Sequence, residues 1–115
     1  FGMSWGGYLG AVIPAVEDRF RAGVLVAAGL RDIGRPEVNP LNYVGRIRTP
    51  MLILNGRYDV FFPPETSSRP LLDLLGTPEE DKTLLLYDTD HIPPRTEYIK
   101  EILAWLDEYL GPVQR

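Results

Sequence analysis

The sequence predicts an α/β fold, a short parallel sheet of about three strands flanked by helices in three layers. Three observations carry this expectation. Apolar runs of strand length alternate with segments of helical periodicity, the runs are apolar at consecutive positions as in strands buried on both faces, and Gly and Pro fall between them. Such alternation implies parallel pairing through right-handed crossovers.

Taken in order, residues 6–16 (GGYLGAVIPAV) are small and apolar, which suits a short helix packed closely on a sheet, and Pro14 with Glu17 and Asp18 marks its end. Residues 22–28 (AGVLVAA) form a continuous apolar run and read as a central parallel strand. The connection 29–49 contains Gly34, Pro36, Pro40 and Gly45, which leave room for one short turn at 40–44 and none for a lid. Pro50 opens a second buried strand, 51–55 (MLILN), ended by Gly56. A helix is expected from an N-cap at Ser67 or Ser68 to Leu75, with Pro70 in its first turn and Gly76 as its stop. The third strand is 83–87 (TLLLY), and the last helix runs over 96–110, with Ile99, Ile102, Leu103, Leu106 and Leu110 at helical spacing before Gly111 and Pro112. Three strands make a meagre sheet, and one edge is expected to be bare.

Composition bounds the chemistry. The 115 residues hold 12 Lys and Arg against 16 Asp and Glu, a formal charge of −4, so there is no electrostatic footprint for nucleic acid or an anionic membrane. With no cysteine there is no disulfide framework, thiolate nucleophile or thiolate metal site, and the single histidine cannot pair with another imidazole around a metal. No cofactor and no metal are expected. The longest apolar run, 23–29, is far short of the roughly 18 residues a spanning helix needs. A cytoplasmic protein is expected, without a signal peptide or membrane segment in the given sequence.

Gly2-Met3-Ser4-Trp5-Gly6 matches G-x-S-x-G and is followed at once by a helix. That pattern places Ser on a sharp strand-to-helix turn, with glycines on either side where a Cβ would collide. The Trp5 amide then faces the position where an oxyanion develops. On its own the pentapeptide also fits a Gly-Ser turn capping a helix. A serine nucleophile needs a base within reach and a carboxylate to orient that base. Asp59 follows the second strand and His91 the third, so Ser4, Asp59 and His91 all fall on the C-terminal edge of the sheet, where open α/β folds place their sites. Asp88 and Asp90 are rivals for the acid, but near-neighbours of His91 along a loop rarely face it, and turn-capping suits them better. Tyr58, Phe61, Phe62 and Ile92 cluster near the acid and base and are candidate walls of an acyl or aryl pocket, with loop packing the alternative for Phe61 and Phe62.

The segments GMSWGG, PMLILNGRYDVFFP and YDTDHIPPRTEYIKEILAWLDEYLG resemble the C-terminal half of an α/β-hydrolase of the dienelactone hydrolase and prolyl oligopeptidase-like esterase group. The resemblance covers essentially the whole chain. It implies a partial α/β-hydrolase domain over residues 1–115 that lacks the early strands, with Ser4 as nucleophile, Asp59 as orienting acid, His91 as general base and the Trp5 amide as one oxyanion donor. A serine carboxylesterase acting on short-chain or aryl esters through an acyl-enzyme is the leading expectation. Alternatives are a serine peptidase, or a non-catalytic hydrolase-like module within a larger protein. At the bare edge, the expected partner is either the missing N-terminal half or a second copy in a homo-oligomer.

Overall fold

The computed structural model describes residues 1–114. The apolar runs form strands, and a fourth precedes them: β1 (Gly2–Met3), β2 (Gly23–Val26), β3 (Met51–Gly56) and β4 (Lys82–Tyr87) make one sheet in the order β1-β2-β3-β4. Every pair is parallel, with Met3 opposite Val26, Val26 opposite Leu54, and Leu54 opposite Leu85. β1 is two residues long, too short for any periodicity, and pairing with β2 alone defines it.

Side chains alternate across the sheet, as the pleat requires. Leu25, Met51 and Ile53 face one side, where they pack with Ala11, Ala15, Leu71 and Leu75 from α1 (Trp5–Leu9), α2 (Ile13–Val16), α3 (Arg69–Leu74) and their flanks. Val24, Val26, Leu52 and Leu54 face the other, under Tyr98, Ile102, Trp105, Leu106 and Tyr109 of α4 (Arg95–Leu110). The result is the expected three layers. Ile53 and Leu54 are wholly buried on opposite faces, and truncating either to Ala should cost roughly 2–5 kcal/mol. No helix among the described residues is long and apolar enough to cross a membrane.

The local differences from expectation have physical causes. The first helix is two helices, because Pro14 has no N–H to continue the ladder and sits in the first turn of α2 instead. The connection 29–49 holds three short 3₁₀ turns, Pro36–Val38, Pro40–Asn42 and Val44–Arg46, where one turn at 40–44 was expected. Ser68 stands at the N-cap of α3 but its hydroxyl makes no cap bond, and a π-turn over Pro64–Ser68 leads into the helix. Ser67 is spent elsewhere, its hydroxyl donating to the Leu30 carbonyl at 2.7 Å. Pro70 falls in the first turn as expected, and α4 ends at Gly111, whose φ of 81° with ψ 156° is a backbone conformation open to glycine and to few other residues. Parallel strands put all four C-terminal ends on one edge, which therefore carries Ser4 and the loops after β2, β3 and β4.

Candidate active site

Ser4 joins β1 to α1 with φ 54° and ψ −113°, a conformation that L side chains rarely occupy. Two backbone bonds hold it there: its own N–H donates to Val26 at 2.9 Å, and the Tyr8 N–H donates to the Ser4 carbonyl at 3.0 Å. The turn is so tight that a Cβ on Gly2 would lie 2.3 Å from the Gly6 carbonyl oxygen, so Gly2 is required. Gly6 is not. A Cβ there would meet nothing within 4 Å, Gly6 lines an open hollow together with Phe1 and Gly2, and the expectation of crowding on both sides of Ser4 is corrected to one side.

Past the end of β3 the chain turns into the loop that carries Asp59, and past β4 into the loop that carries His91. The two loops are zipped together beyond the last strand pair. The Arg57 N–H donates to Tyr87 at 2.7 Å and the Tyr58 N–H to Thr89 at 3.0 Å. They also touch, since a Cβ on Gly56 would stand 1.5 Å from the carbonyl oxygen of Asp90. Asp88 is exposed and ion-paired with Arg57 at 2.8 Å, and Asp90 is exposed, so neither rival carboxylate bonds to His91. Asp59 does. Its side chain is wholly buried; Oδ1 accepts from the amides of Phe61 at 2.8 Å and Phe62 at 3.0 Å, and Oδ2 lies 2.9 Å from His91 Nδ1.

His91 Nε2 lies 2.7 Å from Ser4 Oγ, completing a line of three side chains drawn from three loops. With Nδ1–H donated to the carboxylate, the lone pair on Nε2 is left to accept the serine proton. Two rings neighbour the imidazole, Phe61 edge-on at 4.9 Å and Phe62 stacked at 6.2 Å.

A cleft of about 280 Å³ opens over these atoms, lined by Ser4, Trp5, Arg31, Phe61, Phe62 and His91. Of the four expected pocket walls the cleft takes Phe61 and Phe62, whereas Tyr58 and Ile92 lie exposed and outside its lining. Trp5 contributes its ring, stacked on Tyr8 at 5.1 Å, and its amide, which as the first residue of α1 has no carbonyl one helical turn behind it. Burial pushes the Tyr8 hydroxyl above its ordinary pKa, with Arg31 opposing and Asp32 assisting, and that hydroxyl donates to the Ile33 carbonyl at 3.1 Å. Arg31 is the lining residue that sequence reasoning missed. Its place just past β2, on the edge that carries everything else, was the available signal. A larger hollow of about 660 Å³, between residues 14–21 and 46–50, lies by the opposite ends of the strands and contains neither serine nor histidine. Among the described residues no group of three or more His, Cys, Asp or Glu is gathered as a metal site.

No family model and no curated protein matches the chain. Solved structures do. A protein described as a dienelactone hydrolase, from Klebsiella pneumoniae subsp. pneumoniae MGH 78578, superposes with a TM-score of 0.76 at 20% identity, over 94% of this chain and 50% of its own. A cold-adapted esterase from an Arctic intertidal metagenomic library gives 0.75 at 22% identity, over 95% of this chain and 47% of its own. A monoacylglycerol lipase from Paleococcus ferrophilus matches over 61% of this chain and 28% of its own, with a TM-score of 0.52 at 30% identity. The chain thus spans about half the length of the first two structures.

Proposed function

We propose that this chain, which folds as part of an α/β-hydrolase, is the part of a serine esterase that carries the catalytic side chains. The single observation behind the reading is the continuous contact Ser4 Oγ–His91 Nε2–Nδ1–Asp59 Oδ2, at 2.7 and 2.9 Å, on a serine held in a strained turn. In the reaction Ser4 Oγ attacks the ester carbonyl while His91 Nε2 takes its proton, and the carbonyl electron pair moves onto an oxyanion facing the Trp5 amide. Collapse expels the alcohol, which receives that proton, and leaves an acyl group on Ser4. Water activated by His91 then releases the acid. Asp59 fixes the imidazole tautomer throughout.

An open cleft with aromatic walls suits short-chain acyl or aryl esters. The unpaired edge of β1 bears on this reading. Beside it lies an apolar hollow of about 140 Å³ whose lining includes Phe1, Gly2, Gly6, Ile13 and Phe20, of which Phe1, Ile13 and Phe20 are exposed. The remainder of the fold is the partner proposed there, and a second oxyanion donor would come with it; losing one such donor costs roughly a hundredfold to a thousandfold in turnover. The same unpaired edge favours a second reading, a hydrolase-like module without activity of its own.

The test is hydrolysis of a p-nitrophenyl short-chain ester by the wild type and by Ser4→Ala, with labelling by a fluorophosphonate. Loss of the nucleophile should remove essentially all turnover, roughly a millionfold where such residues act as a unit. Equal rates in the two proteins sink the nucleophile assignment. A wild type that neither turns over ester nor takes the label supports the inactive module.

A further inference from the structure

Only two non-glycine residues among those described have positive φ, Ser4 at 54° and Ala27 at 51°, and they are neighbours across the sheet. Ser4 donates its N–H to Val26, the last residue of β2, and Ala27 follows directly. A left-handed alanine is unfavourable in isolation, so the surroundings must hold it. Two contacts from β3 do so. Ala27 donates to the Leu54 carbonyl at 2.8 Å, the last ladder bond of β2 with β3. Immediately beyond, the Ala28 N–H is taken up by a side chain, donating to Asn55 Oδ1 at 2.9 Å.

Asn55 is wholly buried and its Nδ2 has no partner, so an amide sits in an apolar sheet at a cost that its single bond to Ala28 must justify. Ala28 in turn is packed under the elbow: a Cβ on Gly7 would approach the Ala28 Cβ to 2.7 Å. From these contacts we infer that Asn55 is a positioning residue, which pins the left-handed kink at Ala27 and thereby fixes the Val26 and Ala28 backbone on which the Ser4 turn rests. The route runs from the Asn55 side chain to Ala28, through the kink to Val26, and by one hydrogen bond to Ser4. Nothing in it touches substrate. The activity arm of its test rests on the reading of Ser4 as nucleophile, while the structural arm does not.

The kink supplies the decisive variant, because glycine takes the left-handed conformation without strain. Asn55→Leu, close to isosteric but without an acceptor, should lower the rate of Ser4 labelling by a fluorophosphonate roughly tenfold or more and raise the hydrogen-exchange rate of the Ala28 amide by a similar factor. Adding Ala27→Gly should restore labelling to within about threefold of Ala27→Gly alone, since the kink then needs no clamp. If Asn55→Leu does not fold, recovery of folding by the same second change is the expected result. Asn55→Asp keeps the acceptor oxygen and should label faster than Asn55→Leu. The inference is overturned by a double variant as slow, or as unfolded, as Asn55→Leu, which makes Asn55 ordinary packing, or by Asn55→Leu labelling at the wild-type rate. A wild type that does not label fails the proposed function only, and the exchange rate of Ala28 still decides the clamp.

Discussion

Nδ1 of His91 and Oδ2 of Asp59 lie 2.9 Å apart although 32 positions separate them, and the other oxygen of that carboxylate is held by the amides of Phe61 and Phe62. The carboxylate thus has two separable duties, one to the imidazole and one to its own loop. Asp59→Asn separates them. The amide oxygen can still accept from Phe61 and Phe62, so thermal stability should change little. The amide N–H then faces Nδ1, however, which drives the ring proton to Nε2 and leaves nothing to accept from Ser4. Turnover should fall by about 10⁴ with the melting temperature nearly unmoved. Asp59→Ala should in addition leave two loop amides unpaired, at roughly 1–3 kcal/mol each. Ester hydrolysis beside a thermal melt reads both, and near-wild-type turnover in Asp59→Asn removes Asp59 from the site.

Glycines at the two ends of the site should behave in opposite ways. Any Cβ on Gly56 collides with the Asp90 carbonyl, one residue before His91, so Gly56→Ala must part the two zipped loops. The expected cost is about 1–3 kcal/mol or more in denaturant unfolding, together with loss of ester hydrolysis. Gly6→Ala adds a methyl in open space on the first turn of α1 and should be neutral or stabilising by up to about 1 kcal/mol in this chain. A destabilised Gly6→Ala would mean that something covers the β1 edge.

Chain order carried most of the site. Asp59 and His91 could be placed because each follows an apolar run, Ser4 because G-x-S-x-G marks a strand-to-helix turn, and a parallel sheet brings the ends of its strands to one edge. Asp59 was preferred to Asp88 because a near-neighbour of His91 along a loop rarely faces it, and the Arg57–Asp88 ion pair shows where the rival carboxylate goes. Arg31 was not legible, because the connection after β2 is irregular and no periodicity says which of its residues lines the cleft. Nor was the pair of strained residues, since Ala27 looks like any alanine at the end of an apolar run and only its φ sets it apart. The assignment of Tyr58 and Ile92 to the pocket assumed that neighbours in sequence stay neighbours in the cleft. In a loop that turns tightly to bring Asp59 inward, alternate side chains point out to solvent, and Tyr58 is 65% exposed.

Phe61 offers a change that touches the cleft and leaves the fold alone. Its ring is half exposed and edge-on to His91, while its backbone N–H, not its side chain, supports Asp59. Phe61→Ala keeps that amide and should raise KM for an aryl ester severalfold, to roughly tenfold, with a smaller change in kcat. Phe62 is buried, and Phe62→Ala should instead cost about 3–5 kcal/mol of stability. A KM unaltered by Phe61→Ala would show that substrate does not lie along this wall.

Tyr109 joins α4 to the turn before β4, its hydroxyl donating to Asp81 Oδ1 at 2.9 Å while its ring tilts against Trp105 at 4.6 Å. Burial, then the bond to the Asp81 carboxylate, pushes the phenol from its ordinary 10.0 up to about 12. A raised pKa means that the folded chain holds this proton more tightly than the unfolded chain. The stabilisation it brings is therefore complete below pH 10 and drains away as the pH rises from 10 to about 12. Tyr8 and Tyr87 are also raised by burial, so the wild-type curve alone does not isolate one residue. The difference from Tyr109→Phe does: denaturant midpoints of the two proteins should be furthest apart below pH 10 and converge above it. Midpoints offset by a constant amount across that range would mean that the Asp81 bond is no stronger for the neutral phenol than for the phenolate, and would discard this account of how α4 is fastened to the sheet.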